Sequence, residues 1–345
     1  SKLNQTQIIA FVGTGNNPKC PNSRVFVWDD YRRKVIGEIK FNNDVKNVMI
    51  HSERLVVVLQ YNIYSYALAN LEKVDSIKTI PNPKGICAIN YQGKLIVATV
   101  DVRPGRFIIY HSAEHSQKSY SSGFGDIQML SMNAAGSLVG VASPDGTLVK
   151  IFKTDDGEEL KTFRRGNSAA IISSIAFGTD DRFVAVSSDK MTIHVFALDN
   201  TQSQQSSDPF RELPETSTRE NSASEASILG MGLSYLKDSI SDYLGGEKSV
   251  AQVRLSYDNE TLWLSSNASI QAPIVSFSTT EEDQLNVVSP CGNLFKCQFD
   301  PTSGGEGSIL STFSWLIGDE AQEVEIDENK ASSVVNQEDE KWLLL

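Results

Sequence analysis

Apolar positions along this chain come mostly in runs of four to seven residues, rich in Val, Ile and aromatics and closed off by Gly, Pro, Asn or Asp. Residues 25–28, 55–59, 95–100, 107–110, 148–152, 183–186 and 193–196 are examples. Such runs predict β-strands, because branched and aromatic side chains pack well on a pleated surface. Many short strands at even spacing indicate an all-β barrel, sandwich or propeller. The spacing chooses among these. Strands end on an aromatic at Trp28, Tyr66, Tyr110, Phe152 and Phe196, with successive gaps of 38, 44, 42 and 44 residues. A repeat of ~40–45 residues is that of a four-stranded WD-type propeller blade. Trp28-Asp29 keeps the WD dipeptide itself. Turn-forming stretches, Ser143-Pro144-Asp145-Gly146-Thr147 and Ser187-Ser188-Asp189-Lys190-Met191-Thr192, precede two of these strands.

The rhythm breaks after Phe196. The next equivalent strand, 294–299, lies about a hundred residues on, and an insertion over 199–249, rich in Ser, Gln, Glu and Thr, fills the gap. Without it and the acidic tail, roughly 270 residues remain, enough for about six blades. Periodicity alone does not choose between six blades and seven with an incomplete N-terminal one. Inside the insertion, Leu229, Leu233, Leu236, Ile240 and Leu244 recur at helical spacing beside Tyr243, opposite Ser234, Lys237, Asp238, Ser241 and Asp242. That pattern predicts an amphipathic helix stopped by Gly245-Gly246. Such a helix either packs on the propeller or lies in a membrane interface; lacking a Lys/Arg face, it would insert by apolar burial. The expected organisation is a propeller over 1–317 carrying the insertion, then an acidic, disordered tail over 318–345.

Of the 345 residues, 40% are hydrophobic and 21% charged. No run approaches the ~18 apolar residues of a membrane span, so membrane contact is expected to be peripheral. Cys20, Cys87, Cys291 and Cys297 are too scattered for a disulfide framework or a zinc knuckle, which fits a reducing cytosol. The chain opens on Ser1, so its N-terminus is expected to be incomplete. A net charge of −12 argues against nucleic-acid binding. The tail from Gly318 carries −7 of this, leaving −5 elsewhere and room for a local basic pocket.

One local feature bears chemistry: Phe163-Arg164-Arg165-Gly166. Neighbouring residues of an extended chain point to opposite sides, so two adjacent arginines can serve two pockets. A guanidinium grips a phosphate bidentately, and Gly166 allows close backbone approach. The residues alone leave open a pair of solvated surface arginines. Other motifs are weaker. Gly13-Thr14-Gly15 lacks the third glycine and following helix of a nucleotide loop and reads as a hairpin. His111, Glu114 and His115 match an inverted zinc-protease spacing but follow a strand in a Ser-rich stretch, so no metal is expected. No nucleophile–base or paired-carboxylate arrangement stands out; neither catalysis nor a cofactor is expected.

The sequence resembles the PROPPIN family, seven-bladed propellers that bind phosphatidylinositol 3-phosphate and 3,5-bisphosphate. The likeness runs from about Ile8 to Trp315 through Val12-Gly13-Thr14-Gly15, Val25-Phe26-Val27-Trp28-Asp29-Asp30, Asn82-Pro83-Lys84-Gly85, Phe163-Arg164-Arg165-Gly166, Ser187-Ser188-Asp189-Lys190 and His194-Val195-Phe196. It implies a first headgroup site of Ser143, Gly146, Thr147, Lys150 and Arg164. A second would use Arg165, Gly166, Ser188, Thr192 and His194. It also implies a largely absent first blade and a membrane-inserting segment at Leu229, Leu233, Leu236, Ile240, Tyr243 and Leu244. Three positions depart from the family pattern. Lys150 replaces an Arg, Gly123-Phe124-Gly125 stands where a His is common, and Met191 replaces a turn glycine. These departures weigh more against the first site than the second.

The C-terminus, Glu338-Asp339-Glu340-Lys341-Trp342-Leu343-Leu344-Leu345, resembles the short acidic–aromatic motif that docks on ubiquitin-like autophagy proteins, with Trp342 and Leu345 filling two pockets. The simpler reading of the same residues is a frayed acidic end. The resemblance implies a non-enzymatic scaffold on preautophagosomal, endosomal or vacuolar membranes, recruiting a lipid-transfer or conjugation-machinery partner. The rival is a WD-repeat platform whose arginines grip an acidic peptide.

Overall fold

Each apolar run falls on a strand, and consecutive strands pair as antiparallel meanders. The computed structural model describes residues 7–15, 20–199, 245–255, 272–290 and 292–314, with the backbone of 324–325. The first sheet holds β1 (Ile8–Val12), β2 (Arg24–Asp29) and β3 (Lys34–Lys40). The second holds β4 (Asn47–Ile50), β5 (Arg54–Val58), β6 (Asn62–Ala67) and β7 (Lys73–Lys78). The third is built of β8 (Cys87–Ile89), β9 (Ile96–Val100), β10 (Arg106–His111) and β11 (Ser116–Ser121). The fourth comprises β12 (Met129–Met132), β13 (Leu138–Ala142), β14 (Leu148–Lys153) and β15 (Glu159–Arg164). In the fifth, β16 (Ile172–Phe177), β17 (Phe183–Ser188) and β18 (Thr192–Ala197) are joined across the insertion by β19 (Ala251–Arg254). The sixth contains β20 (Ile274–Phe277), β21 (Gln284–Val288) and β22 (Asn293–Gln298). After it, β23 (Gly305–Glu306) runs parallel to β19, while β24 (Ser308–Ser314) and β25 (Val324–Glu325) complete the sixth sheet.

The aromatic repeat falls on the third strand of each four-stranded meander: Tyr66 on β6, Tyr110 on β10, Phe152 on β14 and Phe196 on β18. Trp28 sits on β2, the corresponding strand of the first sheet, which has three strands among the described residues. Both faces of most strands are covered, which is why the apolar runs are continuous and not alternating; all six residues of β17 are buried. Five apolar cores result, one between each pair of consecutive sheets, from Ala10, Val25 and Leu55 at one end to Val253, Leu285 and Phe295 at the other. The first strands of neighbouring sheets meet, β8 with β12, β12 with β16 and β16 with β20. Sheets packed face to face in series about their innermost strands make a β-propeller.

Two details place the candidate site. The ladder between β14 and β15 shifts register between Ile151 and Phe152. This bulge carries Glu159 to the sheet face of Lys150, whereas strict alternation would put it on the other. The chain returning from the insertion then lies along the outer edge of β15: Glu247 N donates to Thr162 O (2.7 Å) and Arg164 N to Glu247 O (2.8 Å). Part of the expected insertion is thus seated on the fourth sheet before reaching β19. The expected helix at 229–244 and the tail motif at Trp342 and Leu345 lie outside the described residues.

Candidate functional site

Phe163 anchors the arginine motif. It is fully buried between the fourth and fifth sheets and stacks on Phe196 with ring centres 4.7 Å apart. Burying a side chain of this size contributes roughly 1.5–3 kcal/mol. Phe196 in turn stacks on His194, centroid to centroid 6.2 Å, so one row of rings ties β15 to β18. With Phe163 pinned inward, the next two residues leave the sheet in different directions. Arg164 Nε donates to Gly245 O (2.8 Å), on the insertion side. Arg165 turns under the neighbouring turn, its Nε donating to Gly146 O (2.8 Å) and an Nη to Ser168 O, and is only 6% exposed. Burial lowers its guanidinium pKa and Asp189 and Asp145 oppose that shift; it stays cationic. Beside it Gly166 is open: a Cβ there would meet nothing within 4 Å.

The first set, Ser143, Gly146, Thr147, Lys150 and Arg164, comes together around the β13–β14 turn and the end of β15. Gly146 is required there, with φ at +67° and a would-be Cβ 2.1 Å from Ala170 O. Asp145 organises the turn, accepting from Ser143 Oγ (2.6 Å), Thr147 N (3.1 Å) and Thr147 Oγ1 (2.9 Å). Those bonds, Ser143's first, hold its carboxyl below the usual carboxylate range. Lys150 Nζ bonds Glu159 Oε2 at 2.8 Å and lies over the Phe124 ring at 5.2 Å. Burial pushes the Glu159 carboxyl up, but its bonds to Lys150 and to Thr162 outweigh that and leave it low.

The second set, Arg165, Gly166, Ser188, Thr192 and His194, gathers where the fourth and fifth sheets meet. Ser188 is fully buried and its Oγ accepts from Lys190 N (3.3 Å). Thr192 Oγ1 lies 3.4 Å from Lys190 O. His194 is held at a pKa of about 4, by burial first and then by the charges of Arg165 and Arg254. At neutral pH it is therefore an uncharged donor, not the cation that a phosphate ligand could invite. Met191 takes φ at +57° in the β17–β18 turn, the left-handed conformation Gly146 adopts in the β13–β14 turn. For a side chain that conformation costs ~1–2 kcal/mol, offset here by Met191 packing against the core between the fifth and sixth sheets.

The PROPPIN family model matches residues 17–316. The chain belongs to the PROPPIN family. Among curated proteins it is 38% identical over 195 residues to autophagy-related protein 18e of Arabidopsis thaliana, covering 56% of this chain and 52% of that protein. It is 26% identical over 287 residues to WD repeat domain phosphoinositide-interacting protein 1 of Homo sapiens, covering 81% and 60%. The chain thus spans between about half and three-fifths of the length of these relatives. Among solved structures, Hsv2 of Kluyveromyces marxianus superposes with a TM-score of 0.65 at 21% identity, over 92% of this chain and 84% of that one. A complex of KlAtg21 with the coiled-coil of AgAtg16 gives 0.66 at 16% identity, over 90% and 82%. At those identities the likeness is one of fold, the seven-bladed PROPPIN propeller; the described residues of this chain build six sheets.

Within this PROPPIN the motif residues converge, but their neighbours were not legible. Glu159 and Phe124 against Lys150, Asp145 against Ser143 and Thr147, and the carbonyls of Gly245 and Ser168 against the arginines all emerge only from the structure. Asp145 alone had a local signal, since a carboxylate two residues before Thr147 caps its own turn. The zinc-like spacing dissolves: His111 ends β10 and His115 Nδ1 pairs with Asp75 Oδ1 at 2.9 Å. Among the described residues no cluster suited to a metal forms.

Proposed function

We propose that this PROPPIN binds membranes bearing phosphatidylinositol 3-phosphate or 3,5-bisphosphate through the two groups of residues flanking Phe163–Gly166. It acts there as a non-enzymatic effector in autophagy or endolysosomal traffic. One observation carries the reading: a fully buried aromatic precedes two consecutive guanidiniums that leave one sheet end differently, Arg164 against Gly245 of the returning insertion and Arg165 against Gly146 of the β13–β14 turn. Arginine and hydroxyl donors gathered at one sheet end are the groups that a phosphate monoester would recruit. The amphipathic segment at 229–244 would add apolar insertion, and linking modest contacts on one membrane raises avidity by ~10²–10⁴. In that role the protein would work from the cytoplasm, peripherally on autophagic or vacuolar membranes. The expected partner is a lipid-transfer or conjugation-machinery protein, the similar KlAtg21 having been solved with the coiled-coil of AgAtg16, and the tail at Trp342 and Leu345 would engage a ubiquitin-like protein.

Flotation on phosphatidylcholine vesicles carrying single phosphoinositides tests this. The protein should float with 3-phosphorylated lipids and be released by soluble inositol 1,3-bisphosphate. Flotation indifferent to the headgroup, or none, would overturn it; capture by an acidic peptide without lipid would favour the WD-repeat platform.

A further inference from the structure

The two candidate headgroup sites differ in the groups that already hold their donors. In the first, three of the four side chains assigned to a headgroup already donate to carboxylates of this chain. Ser143 Oγ and Thr147 Oγ1 are bonded to Asp145 at 2.6 and 2.9 Å, and Lys150 Nζ to Glu159 at 2.8 Å. The fourth, Arg164, donates to Gly245 O. Glu159 is held from both ends, since Thr162 Oγ1 bonds its Oε1 at 2.5 Å. Lys150 has little room to leave: its side chain is 18% exposed, it lies over Phe124, and its Nζ sits 2.9 Å from where a Cβ on Gly123 would be. Lys150 is thus matched by Glu159, and the hydroxyls of Ser143 and Thr147 are taken up by Asp145.

The second site is different. Among the described residues no carboxylate is bonded to Arg165; its donors go to the carbonyls of Gly146 and Ser168. The nearby Asp189 spends Oδ1 on Ile171 N (2.9 Å) and has Lys190 Nζ 4.0 Å from Oδ2. Asp189 and Asp145 act on Arg165 through space without being bonded to it, so its guanidinium is held by neutral carbonyls where Lys150 is held by a carboxylate.

We infer that Glu159 and Asp145 are resident anions of the first site, so that this chain engages one headgroup strongly, at Arg165, and Glu159 sets the difference between the sites. A phosphate entering the first site must either displace Glu159 from Lys150 or place its own charge beside two carboxylates, and like charges at that range oppose binding. The bulge in the β14–β15 ladder builds the block, because it brings Glu159 to the face of Lys150. This inference rests on the phosphoinositide reading above and makes that reading unequal between its two halves.

Calorimetric titration of the full chain with inositol 1,3-bisphosphate tests it. The unaltered protein should take up one equivalent. Glu159→Gln with Asp145→Asn should show a second equivalent, or bind roughly tenfold tighter. Glu159→Gln alone, on the partly exposed edge strand, should move the same way by less and guards against misfolding of the turn. Two equal equivalents in the unaltered protein would overturn the inference while leaving the phosphoinositide reading intact. So would variants that melt normally and bind as the unaltered chain does. No uptake by any of these proteins would overturn both.

Discussion

The third and fourth sheets end their outer strands in the same register, yet only one ends in arginines. Tyr120 lies opposite Phe107 as Phe163 lies opposite Val149, and Ser121 opposite Arg106 as Arg164 opposite Leu148. One residue further on, Ser122 N donates to Gly105 O (3.0 Å) and Arg165 N to Thr147 O (2.9 Å). Even the side chains find the same kind of acceptor: Ser122 Oγ bonds Gly105 O (2.7 Å), Arg165 Nε bonds Gly146 O (2.8 Å). The backbone frame of the site is therefore a generic feature of a sheet end. A serine is satisfied by that frame; a guanidinium, with five donors, has capacity left over. Lys40, Lys78 and Arg254 occupy the place of Arg164 on the first, second and fifth sheets, so a cation at the end of an outer strand is common here. What sets the fourth sheet apart is the second arginine and the fully buried ring before it.

The ring should matter most. Phe163→Ala is expected to cost about 3–5 kcal/mol of stability in chemical denaturation, because it empties a fully buried site. Tyr120→Ala, removing a partly exposed ring, should cost less than half of that; equal losses would erase the contrast between the sheets. The pH dependence is next. His194 binds its proton near pH 4 in the folded protein and near 6.5 when unfolded. As pH falls, the unfolded chain is protonated first, so stability is full above about pH 6.5 and is lost progressively towards pH 4. The loss should approach about 3 kcal/mol relative to a His194→Gln variant, whose difference from the unaltered protein isolates this group from His51. A constant difference across that range would refute the assignment.

Arg165→Ser, which rebuilds the junction of the third sheet, should cost about 2 kcal/mol, since a buried guanidinium loses charge-assisted bonds to two carbonyls. Ser122→Ala, deleting one neutral bond, should cost about 1 kcal/mol. Arg165 would be a purely surface residue if its replacement left the thermal midpoint unmoved.

The propeller was legible because covered sheets write continuous apolar runs and because each blade repeats one aromatic. The departure at Met191 was also legible, and the structure shows how it is met, by a left-handed methionine packed on the core. The character of the site was not. Two adjacent arginines look alike in sequence, but one lies against the returning insertion and the other is nearly buried under a turn. Glu159 was hidden by the bulge: alternation along 159–164 assigns it to the wrong face of the strand. Gly245 and Ser168 act through backbone carbonyls, which no side-chain motif encodes.

In the function proposed above, the paired guanidiniums of the fourth sheet bind the phosphorylated headgroup. Flotation of Arg164→Ser/Arg165→Ser on vesicles containing phosphatidylinositol 3-phosphate tests it most directly, with circular dichroism to establish that the variant remains folded. The unaltered protein should float and the folded variant should stay in the soluble fraction; a folded variant that floats as well as the unaltered chain would show that the headgroup is held elsewhere.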